Sequence, residues 1–111
     1  MNSLQFQELE AEVIERLCPL GYVRGQNEID GPFESHFVDY THNDQAYRLV
    51  ADGKESKVVV EFSASYSRAI PHQGWALVLD VPYPRTFNAT GLLLLRQGIS
   101  LAVAHHRHSA A

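Results

Sequence analysis

The sequence predicts an α+β fold, a four-stranded antiparallel β-meander with an N-terminal and a C-terminal helix packed on one face. Three observations carry that prediction. Lys57 to Tyr66 alternates: Val58, Val60, Phe62, Ala64 and Tyr66 point one way and Lys57, Val59, Glu61, Ser63 and Ser65 the other, the period of a half-buried strand. Ala46 to Ala51 places Tyr47, Leu49 and Ala51 on one face, and Asp52-Gly53 between the two segments is a hairpin signal. The two ends of the chain carry instead the three- and four-residue spacing of helices.

In chain order, Leu4 to Cys18 is an amphipathic helix whose stripe is Phe6, Leu9, Val13 and Leu17, with Ile14 beside it. Asn2 or Ser3 can cap its start, and Pro19 disfavours helical geometry in the residue before it, so the helix should stop near Leu17 or Cys18, with Gly21 available for the reversal. Glu8, Glu12 and Glu15 share an outer face and read as solvated. Gly21 to Pro32 is rich in turn formers and reads as a connection with a short extended piece at Tyr22-Val23-Arg24. Phe33 to Thr41 is the first long strand, with Phe33 and Phe37 on one side and Val38 and Tyr40 on the other.

The organising hairpin follows a polar turn at His42 to Gln45, and the chain then leaves the sheet through Ser67 to Gly74. It re-enters at Trp75, where Trp75, Leu77, Leu79 and Val81 alternate with Ala76, Val78 and Asp80 until Pro82-Tyr83-Pro84 ends the strand. The last helix starts after Asn88, a good N-cap, and runs to about His105. Leu92, Leu95, Ile99 and Val103 form one stripe, expected on the sheet, while Leu94 and Leu101, with Gly98 close by, form a second on roughly the opposite side. That second stripe needs another surface, either the N-terminal helix or the same helix of a second subunit. Sequential strands are usually neighbours, so the sheet order should be 1-2-3-4, with both helices on one face and the other face open to a partner or ligand around Val50, Val59 and Val78.

Composition narrows the function classes. With 111 residues, 45% of them hydrophobic, the chain should form one domain (1–111) around a single core. It has no long uncharged apolar run and no basic, apolar start, which predicts a cytoplasmic protein without membrane contact. Cys18 is the single cysteine, so no internal disulfide can form, and it reads as a small buried hydrophobe. A net charge of −4 with only two lysines argues against nucleic acid as a partner. Residues 1–61 hold twelve acids and five bases, whereas residues 62–111 hold Asp80 against four arginines. Such asymmetry suits pairing between the halves of one fold, head-to-tail association, or an anionic ligand in the second half.

No constellation assigns a reaction. Six histidines are present, but His105, His106 and His108 do not all share a helix face, and no Cys pair or His-Glu-x-x-His spacing supports a metal; they read as a solvated helix end. The serines at 63, 65 and 67 alternate on a strand without a nucleophile elbow, and no glycine-rich run precedes a helix to hold phosphate. No catalytic residue, metal or cofactor is therefore expected. The ligand-binding candidates are Arg68 and His72, in the long Ser67 to Gly74 connection, and Arg85 after the next strand. The dimer-interface candidates are Leu94, Gly98 and Leu101.

In compactness, acidity and lack of signature motifs the chain resembles small bacterial accessory proteins that work by binding, such as toxin-neutralising immunity proteins and secretion chaperones, a likeness of kind that covers no defined residues. The expected function is a non-enzymatic, homodimeric binding module that contacts a protein partner or small apolar ligand through a sheet face. The alternatives are an enzyme or anion-binding domain with a pocket between helices and sheet, and an immunity- or chaperone-like protein whose acidic helix face meets a basic partner.

Overall fold

The computed structural model describes residues 1–66, 74–83 and 88–110. Helix α1 (Ser3–Leu17) leads through a 3-10 turn (Cys18–Leu20) to strands β1 (Val23–Arg24), β2 (Glu28–Asp30), β3 (Ser35–His42), β4 (Gln45–Asp52), β5 (Lys57–Ser63) and β6 (Trp75–Pro82), and then to helix α2 (Ala89–Ala110). The four long strands form the expected antiparallel meander, β3-β4-β5-β6. Among the described residues the sheet nevertheless has six strands, not four. β1 and β2 both pair with the free edge of β3, Val23 opposite Thr41 and Ile29 opposite His36, so the turn-rich connection doubles as an interrupted edge strand. Segments of two and three residues are too short to display a period of two, and only their pairing makes them strands.

α1 starts and stops where local chemistry requires. Asn2 accepts from the Gln5 amide at 2.8 Å while the Gln5 side chain accepts from the Asn2 amide at 3.0 Å, a reciprocal capping box. Pro19 then turns the chain, and Gly21 takes the left-handed conformation (φ 99°) that a side chain would resist. Between β4 and β5 the connection is Gly53 to Ser56, and the Asp52 carboxylate holds it by accepting from the amides of Lys54 and Glu55, both at 3.0 Å. Gly53 is required for a different reason: a Cβ there would run into the backbone carbonyl of Phe33.

One core joins both helices to one face of the sheet. Phe6, Leu9, Val13 and Leu17 of α1 and Ile99 and Val103 of α2 close over Val38, Tyr40, Tyr47, Leu49, Val58 and Val60. Polar contacts fix the layers. Glu10, 4% exposed, accepts from Arg24 through both carboxylate oxygens at 3.0 Å and from the Tyr40 hydroxyl at 3.1 Å. That bonding to Glu10 raises the Arg24 pKa, and burial, reinforced by the Glu10 charge, raises that of Tyr40. Between the helices Arg96 reaches Glu12 at 2.8 Å and Glu8 at 4.0 Å, and Arg16 donates to Ser100 at 3.1 Å. Two of the three glutamates expected to be solvated thus pair with a basic residue of the second half.

Three other expectations are corrected. The β5–β6 register slips between Val60 and Glu61, so Val60 faces Leu79 but Glu61 faces Leu77. This bulge keeps Leu79 and Val81 toward the helices and turns Leu77 and Trp75, which the alternation placed with them, to the opposite face. Tyr66 was expected beside Val58 and Val60, but β5 ends at Ser63 and Tyr66 comes to lie on the outer face, its ring 5.9 Å from that of Trp75. Cys18, expected to be buried, is exposed in the 3-10 turn, past the last core residue of α1.

Candidate functional site

Helix α2 presents three different sides. Ile99 and Val103 are fully buried, with Leu92 and Leu95 packed against the core, as the first stripe requires. Arg96 and Ser100 meet α1. Leu94 and Leu101 are 63% and 68% exposed, and a Cβ at Gly98 would meet open space. At about 100° per residue, Gly91, Leu94, Gly98 and Leu101 fall within an arc of roughly 80°, opposite Arg96 and Ser100. The N-terminal helix is therefore not what covers the second stripe.

That stripe borders a groove. The space between α2 and β6, about 270 Å³, is lined by Leu79, Val81, Pro82 and Tyr83 on one wall and Gly91, Leu94, Leu95 and Gly98 on the other. None of these side chains is charged. Below the groove lies the outer edge of β6, which pairs only with β5 among the described residues. Leu77, turned by the bulge to the face away from the helices, is 63% exposed on the same strand.

The sheet face away from the helices has a different character. Asp39 and Arg48, facing each other across β3 and β4, form a two-point ion pair at 2.7 and 3.1 Å. The Arg48 guanidinium lies 4.2 Å from the centre of the Trp75 ring, and the Tyr66 hydroxyl donates to Asp39 at 3.4 Å. Burial works against the charged form of Arg48, but its bonds to Asp39 and the carboxylates of Asp39 and Glu61 outweigh this and raise its pKa. Beside this cluster runs an apolar row, Phe37, Val50 and Val59, neighbours across three strands. Val59 is buried, and Phe37 and Val50 are half-buried.

The end of α2 is solvated at His105 and His108, as the histidine run suggested, but not at His106. The helix continues to Ala110, and the Tyr47 hydroxyl and His106 Nδ1 share a hydrogen bond of 2.6 Å. Phe62 packs on the same imidazole with ring centres 4.7 Å apart, and Arg107 donates to the Tyr22 hydroxyl at 3.1 Å. Burial, with Arg107 and His105 adding repulsion, lowers the His106 pKa, so the ring is neutral at pH 7 and cannot act there as a cation for the helix dipole. His105 and His108 are exposed, and among the described residues no group of three or more potential ligands could hold a metal ion.

No family model, no curated protein and no solved structure matches this chain. Its surfaces alone must therefore indicate a function. Arg68, His72 and Arg85 lie outside the described residues, whereas Leu94, Gly98 and Leu101 stand together on one exposed helix face. Gly91, three residues before Leu94, extends that face and was legible in the same spacing. The outward facing of Leu77 was not legible, because it depends on the bulge.

Proposed function

We propose that this protein is a non-enzymatic binding module that works as a homodimer, joined through the Leu94, Gly98 and Leu101 side of α2 and presenting the sheet face away from its helices to a protein partner. The observation that carries this reading is the exposure of Leu94 and Leu101 around Gly98, opposite the side of α2 that α1 occupies. Two exposed leucines about two turns apart, with a glycine between them that lets another backbone approach, suit helix-to-helix packing. The outer face offers the Phe37, Val50 and Val59 row beside a charged cluster already ordered by its own bonds, an arrangement of apolar centre and polar flank common at interfaces.

An enzyme or anion site between helices and sheet has less support among the described residues, because those that line the groove at that margin are uncharged. The acidic-helix reading is weakened by the engagement of Glu8 and Glu12 with Arg96. Light scattering over a range of concentrations tests the dimer: the expected mass is twice that of the chain, and Leu101→Asp, at an exposed position, should give a folded monomer. A Leu101→Asp protein that keeps both its circular dichroism and the dimer mass overturns the assigned interface.

A further inference from the structure

One line of register partners crosses the sheet face away from the helices. Glu28 of β2 stands opposite Phe37, Phe37 opposite Val50, Val50 opposite Val59, and Val59 opposite Asp80 of β6. Directly opposed residues project to the same side of a sheet, so three apolar side chains lie in a row with a carboxylate at each end. Phe37 and Val50 are half-buried and Val59, 9% exposed, is the most enclosed of the three, so the row is a shallow trough. Both end carboxylates are available. Glu28 is exposed and has no ion pair among the described residues, and Lys57 holds Asp80 only at 3.7 Å, with both side chains more than a third exposed. A pair so open to solvent contributes little and exchanges readily for another cation.

We infer that this trough takes a cationic amphipathic helix of the partner protein, laid across the strands with a Lys or Arg over Glu28 and another over Asp80. The inference rests on the reading of this sheet face as the partner surface and adds the partner's chemistry. Spacing selects a helix. Neighbouring strands lie about 4.8 Å apart, and a helix returns to one side every 5.4 Å or so, so apolar residues at i, i+4 and i+7 span about 10.5 Å against about 9.6 Å from Phe37 to Val59. An extended segment repeats a side only every 6.7 Å or so, and over the same two steps it overshoots by roughly 4 Å. Cations one turn beyond each end of the apolar stripe are about 22 Å apart, against about 19 Å from Glu28 to Asp80, a difference that the flexible stems of Lys and Arg absorb. Charge selects the sign: on this face Glu28, Asp39, Glu61 and Asp80 outnumber Arg48 and Lys57 among the described residues.

The probe is a synthetic helical peptide with leucines at i, i+4 and i+7 and a lysine one turn beyond each end, titrated into the full chain and followed by NMR. The expected result is that the amides of Phe37, Val50 and Val59 shift and that the dissociation constant rises at least about tenfold between 0.01 M and 0.15 M salt. Glu28→Lys/Asp80→Lys should weaken binding at least about tenfold with unchanged circular dichroism; if that variant unfolds, Glu28→Gln/Asp80→Asn should weaken it several-fold. A peptide with glutamates in place of the lysines that binds this face as tightly overturns the cationic partner and leaves the sheet-face reading standing. An alternating valine and lysine peptide that binds there more tightly overturns the helix and likewise leaves that reading standing. Shifts on this face that follow the concentration of the chain alone assign it to a second copy and overturn a peptide as its occupant. If no peptide shifts this face at about 1 mM, both the helix partner and the sheet face as partner surface fall, while the mass from light scattering still judges the α2 interface.

Discussion

His36 is the most unusual buried group. It is 1% exposed, stacked on Phe6 with ring centres 5.0 Å apart, and neither ring nitrogen has a well-formed hydrogen bond among the described residues. Burial lowers its pKa, against smaller opposing pulls from the Met1 backbone and from Glu34 and Glu10, so the folded protein holds the ring neutral. The unfolded chain takes up that proton near the ordinary imidazole value of about 6.5, before the folded chain does, and stability must therefore fall as pH drops below it. His106, lowered for a similar reason, adds to the same trend. His36→Phe preserves the stack and removes one titration, so urea midpoints should differ less between about pH 7.5 and about pH 5 than in the unaltered protein. An unchanged difference would show that His36 does not titrate across this range. Glu10, by contrast with His36, has its hydrogen bonds made: Glu10→Ala strands Tyr40 and Arg24 and should cost about 2–3 kcal/mol in urea unfolding.

At the scale of elements, two glycines separate backbone strain from lack of space. Gly31→Ala meets nothing within 4 Å but must adopt a φ of +67°, and should cost about 1 kcal/mol. Gly53→Ala meets the Phe33 carbonyl, which cannot rotate away as a side chain could, and should cost more, about 2–3 kcal/mol, with equal m-values if both variants stay two-state. A larger loss at Gly31 would reverse this ranking. Both helices and all four long strands were legible because their signals are local: the Asn2 cap, Pro19, the alternation of Val58 and Val60, and Asn88, which accepts from the Gly91 amide at 2.9 Å. The slip opposite Val60 was not legible. Alternation fixes which residues of a strand share a face, but the facing of Trp75 and Leu77 depends on how β6 pairs with β5, a non-local property. The same limit hid β1 and β2, which exist as strands only through β3.

For the whole molecule, the double striping of α2 was visible in sequence as two apolar faces, but the choice between α1 and a second copy was not, since that depends on where α1 lies. Arg96 and Ser100 remove α1 from that choice by meeting it on the opposite side. This geometry has a consequence for salt. Among the described residues no charged side chain lines the groove beside Leu94, while each copy carries −4, so association through those residues would add general repulsion without forming ion pairs. Screening relieves the repulsion, and the Debye length shrinks from about 30 Å at 0.01 M to about 8 Å at 0.15 M salt. The dissociation constant measured by sedimentation should therefore stay constant or fall as salt rises through that range, and apolar burial should give association a negative heat-capacity change in calorimetry. Head-to-tail attraction between an acidic first half and a basic second half predicts the reverse, tighter dimers at low salt. A dissociation constant that rises about tenfold with salt would replace the apolar interface with that electrostatic one, and would return attention to the arginines of the second half.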